Sequence, residues 1–541
     1  MLALVGHPTI RFHLEDVNIV DQSSIRLRVI IAIIALLMAT LACARGDVEI
    51  AVNTSRNSNP SIQEPTQVVV QSTPTQIVVD DNQATATPSR PAPIASPTLP
   101  PTPTLGVSGV MENVLYESQP GDVLRTLAIR FGVVPSDIRA SSGLLPQDGG
   151  LVDPGLMLVI PDRLENTGPS ERLLPDSEVV YSPHTAEFDV EGFISGHNGF
   201  LNSYTEYIGG QVRSGTEIVE RAALAHSINP RLLLAFLEYS SGWVKDPTPP
   251  TGEALNYPIG TIDLQYQGLY KQLTWLSNEL GKGYYGWRSG TMIDLILADG
   301  TFVRIAPSLN AGTVAIQYFF SLRYPISGWT NEVSSDGFIS TYKDLFGDPD
   351  EYKHPLYEPE LQQPPMTLPF MPGKVWSFTG GPHGAWEREA AWAALDFAPP
   401  SAEPGCVESE EWVVAASPGL VVRSENGLVV IDLDGDGLEQ TGWVVLYVHV
   451  ASKDRVSQGV FIEQGDLIGH PSCEGGIATG THVHIARKYN GEWILADGPL
   501  AFELSGWEAR AGSMPYQGAL VKGEQTVLAC PCSSQETLIS R

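Results

Sequence analysis

Proline-rich stretches divide this chain of 541 residues into separate folding units. Residues 52–105 are rich in Pro, Thr, Ser and Gln, so they cannot bury enough apolar surface to fold, and their prolines keep them extended. Shorter breaks follow near 163–185 and, dense in proline, at 352–373. Because a single hydrophobic core stops growing at about 250–300 residues, the sequence predicts a multidomain protein with about three folded domains.

The N-terminus carries the features of an exported protein. Arg26 and Arg28 precede a short apolar run, Val29–Leu41, and small residues follow it, which is typical of a secretory signal. Thr40–Cys43 resembles a bacterial lipobox, whose cysteine, Cys43, would be lipidated. The alternative is an uncleaved anchor, although a run of about thirteen residues is short for crossing a bilayer.

Charge limits the partners of this chain. The net charge of −30 argues against nucleic acid and against an anionic membrane surface. We therefore expect a membrane contact only through an anchor at 1–43, followed by a disordered stalk at 44–110. The later domains are then expected outside the cell, at the cell surface or in the wall. The sequence leaves the oligomeric state open.

The segment 111–163 predicts a small α+β module. Strands are expected at Tyr116–Glu117 and Met157–Ile160. A first helix with one apolar face is expected after Asp122, a good N-cap residue, and a second over Pro135–Ser142.

This order of strand, helix, helix and strand resembles a LysM domain. Three motifs carry the resemblance: Gln119–Asp122, Ile129–Gly132 and Pro154–Pro161. LysM domains bind glycans that contain N-acetylglucosamine, so the resemblance implies that this module binds peptidoglycan. The alternative is a structural spacer.

The segment 186–350 lies between two linkers, 164–185 and 351–373, and predicts an all-α domain. Helical periodicity is clear at Ile218–His226 and Pro230–Tyr239.

The second of these helices begins like a lysozyme-type lytic transglycosylase. Ile228–Leu237 is similar to the opening of that family, in which a Glu after the helix is the general acid. Here that position holds Ser240, and Glu238 lies two residues early, about 200° around the helix. A serine hydroxyl cannot protonate a glycosidic oxygen near neutral pH. The resemblance therefore implies a degenerate lysozyme-like domain, with glycan cleavage by this domain as the alternative.

The segment 374–520, followed by a tail at 521–541, contains the reactive residues. Four runs indicate strands separated by glycine-rich turns, so the domain is predicted to be mainly antiparallel β: Leu420–Ser424, Leu428–Leu433, Trp443–Val450 and Thr481–Tyr489. In the last strand His482 and His484 are two residues apart, so both imidazoles face one side. Two imidazoles directed at one point are typical of a transition-metal site, with zinc the first candidate.

Three further features accompany this pair in the same segment. The first is the motif Gly380–His383. The second is Asp396, thirteen residues after His383, and the third is His449, which lies late in a predicted strand. In this order they resemble the β-lytic branch of the lysostaphin-type zinc endopeptidases. The resemblance implies one Zn²⁺ held by His383, Asp396 and His484, with His449 and His482 as the catalytic pair around a zinc-activated water.

The cysteines of the exported domains predict disulfide chemistry. We expect Cys406 and Cys473 to form a disulfide. Cys530 and Cys532 are close in sequence, and three states stay open for them: a bridge between the two, pairing elsewhere, or free thiols.

Asp432, Asp434 and Asp436 begin like a calcium loop. Trp443 occupies the twelfth position, where an EF-hand has Glu, so a complete EF-hand is excluded. An acidic hairpin turn is the better interpretation, with Ca²⁺ as the alternative.

Together these features predict an exported peptidoglycan hydrolase. A zinc metalloendopeptidase domain would cleave wall peptides, and a LysM module would bind the glycan. A non-catalytic, wall-binding regulator of another hydrolase is the alternative from a different class.

Overall fold

The computed structural model describes residues 112–147, 149–387, 391–401, 403–532 and 534–541. The predicted anchor, with Cys43, and the predicted stalk lie outside the described residues, so lipidation and anchoring stay predictions. Within the ranges just given, the structure contains no helix that is long and apolar enough to cross a membrane.

The first module is a three-stranded antiparallel sheet packed on one helix. Its elements are β1 (Asn113–Glu117), α1 (Leu124–Phe131), β2 (Arg139–Ala140) and β3 (Met157–Pro161), and β3 lies between the other two strands. The apolar face of α1 buries Leu127 and Phe131 against Leu158 and Ile160 of the central strand. Both predicted strands and the first helix are therefore present.

The second predicted helix of this module, Pro135–Ser142, is wrong. The chain makes only a 3₁₀ turn at Pro135–Asp137 and then enters β2, which pairs with Val159 and Leu158. The sequence Ser-Ser-Gly at 141–143 is a poor helix former, whereas pairing with β3 provides backbone hydrogen-bond partners.

Asp122 also differs from its predicted role as a helix N-cap. Val123 is the N-cap residue, without a side-chain bond. The Asp122 carboxylate instead accepts hydrogen bonds from the Tyr116 hydroxyl at 2.7 Å and the Arg130 guanidinium at 2.9 Å. Because these partners are stronger donors than a helix N–H, the carboxylate turns into the module core. The assignment as a LysM domain stays a prediction.

The middle region is mainly helical, with two small hairpins that the all-α prediction missed. In chain order its elements are α2 (Val190–His197), β4 (Thr205–Ile208), β5 (Gln211–Ser214), α3 (Gly215–His226), α4 (Pro230–Ser241), α5 (Glu253–Asn256), α6 (Leu269–Ser289), β6 (Asp294–Ile296), β7 (Phe302–Arg304), α7 (Ala311–Ser321), α8 (Ile326–Glu332) and α9 (Phe338–Phe346). Both predicted helices are present, and α4 starts as predicted, with the Asn229 side chain accepting from the Arg231 N–H and Pro230 in the first turn.

The C-terminal region is mainly antiparallel β, as predicted. Its strands are β8 (Val375–Gly384), β9 (Trp392–Ala398), β10 (Val413–Val414), β11 (Gly419–Glu425), β12 (Leu428–Asp432), β13 (Trp443–Val448), β14 (Phe461–Ile462), β15 (Leu467–Gly469), β16 (Val483–Tyr489), β17 (Glu492–Trp493), β18 (Glu503–Leu504), β19 (Trp507–Ala511), β20 (Gly518–Lys522), β21 (Gln525–Leu528) and β22 (Leu538–Ser540). The large sheet has the order β14-β11-β12-β13-β16-β9-β8-β22, and β18 to β21 form a second sheet.

The two faces of the large sheet pack in different cores. Side chains such as Val483, Ile485 and Leu395 lie in a core with the second sheet. Ala486 and Ala394, on the opposite face, lie in one continuous core with the helices of the middle region. Because side chains alternate along a strand, His484 and Asp396 point to the same face as Ala486 and Ala394.

Candidate metal centre

Strand register brings the predicted metal ligands together. His484 on β16 pairs with Asp396 on the neighbouring β9, and β8 carries His383 along the other side of β9. The β8–β9 ladder shifts register between Gly380 and His383, which allows the histidine to turn toward the carboxylate.

Gly380 and Gly381, shortly before His383, lie where no side chain can be accommodated. A Cβ on Gly380 would lie 2.5 Å from Oδ2 of Asp396, and a Cβ on Gly381 would lie 2.4 Å from the carbonyl oxygen of Gln517. Any larger residue at either position would displace the carboxylate or the β19–β20 turn. The Gly-Gly sequence therefore keeps space for the site.

Three donor atoms form a compact triangle. Nε2 of His383 lies 3.0 Å from Nδ1 of His484 and 3.3 Å from Oδ1 of Asp396, and the last two atoms are 3.2 Å apart. In a tetrahedral zinc site with bonds of about 2.0–2.1 Å, ligand atoms are separated by roughly 3.3 Å. Two nitrogens and one carboxylate oxygen at this spacing fit one face of a zinc tetrahedron, and the set leaves a fourth position for water or substrate.

Each ligand imidazole is fixed by a backbone carbonyl on its other nitrogen. Nδ1 of His383 donates to the Gly381 carbonyl at 2.8 Å, and Nε2 of His484 donates to the Ala385 carbonyl at 3.0 Å. Since a carbonyl can only accept, these bonds leave Nε2 of His383 and Nδ1 of His484 as the lone-pair nitrogens. Such outer bonds orient metal-binding histidines.

The charge of the cluster is balanced between a carboxylate and imidazoles. Burial raises the pKa of Asp396, but electrostatic attraction to His383 and the neighbouring imidazoles outweighs it and holds that pKa well below its usual range. Burial, with a smaller contribution from His383, lowers the pKa of His484 against the opposing effect of Asp396. At neutral pH the site thus offers an ionised carboxylate, and metal binding requires the imidazoles to be neutral.

The two other predicted histidines lie beside the triangle and outside it. Nε2 of His482 is 3.8 Å from Oδ1 of Asp396, and the rings of His449 and His482 are 4.4 Å apart. Their Nδ1 atoms donate to backbone carbonyls, that of His449 to Glu474 at 2.7 Å and that of His482 to Gly480 at 2.8 Å. Both Nε2 atoms are therefore left without a proton.

Burial, with smaller contributions from His482 and His484, lowers the pKa of His449 to about 4. This imidazole is accordingly neutral at physiological pH and able to accept a proton. The structure thus brings all five predicted site residues into one cluster, and their division into three ligands and two catalytic residues stays a prediction.

Some contacts of the site had no signal in the sequence. The ring of Tyr516 stacks on His383 at 4.1 Å, although the two residues are far apart in the chain. The carbonyl groups of Ala385 and Glu474 orient imidazoles through the main chain, which leaves no residue-type signature. Nδ1 of His470 donates to the Glu411 carbonyl at 2.8 Å, and the ring packs on Trp412.

The remaining predicted features have mixed outcomes. Cys406 and Cys473 form the expected disulfide, and Cys530 and Cys532 bridge each other. Asp432, Asp434 and Asp436 gather within reach of one ion. The Asp432 carboxylate, however, accepts the Asp434 and Gly437 N–H groups, so a hairpin turn accounts for the acidic spacing. Calcium binding stays a prediction.

Glu238 in the middle region holds the turn that follows α4. Its carboxylate accepts the main-chain N–H groups of Val244 at 3.1 Å and Lys245 at 3.0 Å, just after α4. Ser240, at the position of the expected acid, is exposed. These contacts give Glu238 a structural role, and the activity of this region stays untested.

Comparison with known proteins places relatives along most of the chain. The family model described as LasA, N-terminal domain, matches residues 172–360, a range that includes the segment predicted to be lysozyme-like. Protease LasA of Pseudomonas aeruginosa is 23% identical over 356 residues, which cover 60% of this chain and 75% of the relative.

Solved structures of peptidases are similar to part of this chain. Pseudoalterin, an M23 metalloprotease from the deep sea, is 21% identical and has a TM-score of 0.26, with 32% of this chain and 96% of that chain covered. The catalytic domain of the antimicrobial peptidase lysostaphin from Staphylococcus simulans is 19% identical, with a TM-score of 0.16 and coverage of 23% and 88%. A zinc-containing peptidase from Vibrio cholerae is 18% identical, with a TM-score of 0.19 and coverage of 26% and 41%.

The similarity to Protease LasA supports the prediction of a zinc metalloendopeptidase, and residues 172–360 match the family described as LasA, N-terminal domain.

Proposed function

We propose that this protein is an exported peptidoglycan hydrolase, a zinc metalloendopeptidase that cleaves peptide bonds of the bacterial wall. The observation that carries the proposal is the triangle of Nε2 of His383, Oδ1 of Asp396 and Nδ1 of His484, with edges of 3.0 to 3.3 Å. His383, Asp396 and His484 would hold the metal. The likeness to Protease LasA supports the reaction class.

When bound, zinc activates a water molecule and polarises the scissile carbonyl. The chain's own contribution is proton transfer by the neighbouring imidazoles. Nδ1 of His449 donates to the Glu474 carbonyl, which leaves Nε2 free to accept a proton, so His449 serves as the general base. The resulting imidazolium can return the proton to the departing amine. His482, 4.4 Å from His449 ring to ring, would stabilise charge that develops on the carbonyl oxygen in its doubly protonated form, in which Nε2 also carries a proton.

Wall targeting is the second part of the proposal. The LysM-like module at 111–163 binds the glycan part of peptidoglycan, and the C-terminal region acts on the peptide part. An N-terminal anchor keeps the enzyme at the cell surface. The disulfide between Cys406 and Cys473 supports an oxidising, extracytoplasmic location, because such bonds are rare in the cytosol.

Metal analysis and muropeptide mapping on the same preparations test this proposal. The full chain should carry one zinc and release muropeptides with new amino groups from purified peptidoglycan, whereas His484→Ala should do neither. His354→Ala is the control, since His354 is exposed and outside the cluster. Wall binding without peptide cleavage would instead favour a non-catalytic regulator, and anhydro-sugar ends would indicate glycan cleavage by the middle region.

A further inference from the structure

The disulfide Cys406–Cys473 lies next to the catalytic pair proposed above. The three residues Ser472–Glu474, here called the clamped loop, contact His449 at both its ring and its main chain. The Glu474 carbonyl accepts from Nδ1 of His449 at 2.7 Å, and the His449 carbonyl accepts from the Ser472 N–H at 2.7 Å and the Ser472 hydroxyl at 3.0 Å. One short segment therefore sets both the position and the tautomer of His449.

The clamped loop also holds the second histidine of the pair. The His482 N–H donates to the Ser472 carbonyl at 3.3 Å, and the two residues form an isolated antiparallel bridge. Ser472 thus has a main-chain bond to each of the two histidines. A shift of the clamped loop would move both imidazoles relative to the metal ligands.

The other end of the disulfide is tied to the residue before His482. Thr481 donates its N–H to the Gly405 carbonyl at 3.0 Å, and its hydroxyl bonds to the Val407 N–H at 2.9 Å and the Val407 carbonyl at 2.6 Å. These bonds attach Thr481 to both neighbours of Cys406. The disulfide consequently connects two segments, each of which holds one side of the catalytic pair.

On its far side the clamped loop is held by polar contacts: the Glu474 carboxylate accepts from the Ser452 N–H at 2.9 Å and lies 3.7 Å from the Arg455 guanidinium. The next residues, Gly475, Gly476 and Ile477, are exposed and bury little apolar surface. His449 itself has φ of 66°, a left-handed conformation that costs about 1 kcal/mol or more for a residue with a side chain and persists only where neighbours enforce it. A covalent link supplies restraint that packing does not.

We propose that the disulfide Cys406–Cys473, acting through the clamped loop and Thr481, is a positioning device for His449 and His482. This inference rests on the proposed function, because it gives the two histidines their catalytic roles. Neither cysteine is among the three proposed metal ligands, so the disulfide acts on turnover through the imidazoles and leaves metal binding unaffected.

The full-length double variant Cys406→Ser/Cys473→Ser tests the proposal, with Cys530→Ser/Cys532→Ser as the matched control that removes the other disulfide. With purified peptidoglycan as the probe, loss of Cys406–Cys473 should lower kcat about tenfold or more, in the range seen when outer partners of a site are removed. KM should change by less than about twofold, because binding of substrate is separate from proton transfer. Zinc content should stay at one per chain, and the control should match the wild type.

The tautomer of the His449 imidazole can be measured independently of activity. ¹⁵N NMR of the ring nitrogens at neutral pH should show His449 as the Nδ1–H tautomer in the wild type and in the control. In the Cys406→Ser/Cys473→Ser variant both tautomers should be populated. If the wild type binds zinc but cleaves no wall peptide, the proposed function fails, whereas this spectrum still tests the positioning role.

A second pair of variants covers the case in which the disulfide variant does not fold. Thr481→Ser keeps the hydroxyl that joins Val407, and Thr481→Val removes it while keeping the shape. Thr481→Val should lower kcat, whereas Thr481→Ser should keep kcat near the wild-type value. Unchanged kcat and tautomer in Cys406→Ser/Cys473→Ser, or loss of zinc together with activity, would overturn the proposal.

Discussion

His484 and Asp396 face each other on adjacent antiparallel strands, and Nδ1 of the histidine lies 3.2 Å from Oδ1 of the carboxylate. Both strands are interior to the large sheet, so the ladder that forms the fold also fixes the separation of two proposed metal ligands. Their chelating geometry is therefore built by the sheet, and only His383 depends on the irregular part of β8.

Replacing Asp396 by Asn should remove zinc without unfolding the sheet. The amide keeps the size of the side chain but not its charge, and charge is what offsets the metal in this buried site. Zinc affinity should fall by more than the roughly 10–100-fold that loss of an outer partner costs. Competition with a chelating dye measures the zinc affinity. Asp454→Asn, an exposed carboxylate of the same domain, should leave affinity unchanged; equal affinities for both variants would contradict the assignment.

Replacing His449 by Ala should separate metal binding from catalysis. Because this residue lies outside the ligand triangle, zinc content should remain at one per chain. Turnover of peptidoglycan should fall by about 10²–10⁴, the usual contribution of a general base. Steady-state rates and metal analysis on the same sample check both parts, and a variant that turns over at the wild-type rate would exclude His449 as the base.

The sequence predicted which residues come together better than it predicted their detailed geometry. His383, Asp396, His449, His482 and His484 could be singled out because each lies in a short motif of fixed order, and the two histidines of a His-x-His pair on a strand point to one face. Their roles stay predictions, and the motifs do not specify which ring nitrogen would face a metal. That choice depends on the Gly381 and Ala385 carbonyl groups, which any residue could supply.

The arrangement of the modules was also beyond reach of the sequence. Prolines in the linkers predicted separate domains, whereas the described modules share buried contacts. Arg288 of α6 donates to the Pro120 carbonyl in the first module at 2.6 Å and forms an ion pair at 2.9 Å with Glu492 of β17. Such contacts join residues up to 204 positions apart, and local patterns carry no information about them.

Replacing Arg288 by Met should destabilise the protein by about 3–5 kcal/mol, since it leaves the buried Glu492 carboxylate without its cation. Burial raises the pKa of Glu492, and Arg288 opposes that rise. The double variant Arg288→Met/Glu492→Gln removes the unpaired charge and should recover part of the loss. Denaturant unfolding of the wild type, both single variants and the double variant measures the difference. Additive effects of the two substitutions would show that the ion pair contributes nothing.

His226 gives the middle region a predicted dependence on pH. This residue is in the last turn of α3, and burial lowers its pKa from 6.5 to about 4. In the part of the chain that the structure describes, its Nε2 atom is buried and has no hydrogen-bond partner. The unfolded chain therefore takes up a proton at a higher pH than the folded one.

The sign of the effect follows from this difference. Stability from a neutral His226 is complete above pH 6.5 and is lost as the pH falls toward 4, by up to about 3 kcal/mol at 1.36 kcal/mol per pKa unit. Denaturant unfolding at pH 7, 5.5 and 4 should show the loss in the wild type. His226→Phe keeps the ring without the titrating nitrogens, so its stability should fall less over the same interval. Parallel curves for the two proteins would mean that other groups cause the acid destabilisation and that His226 is not the titrating residue.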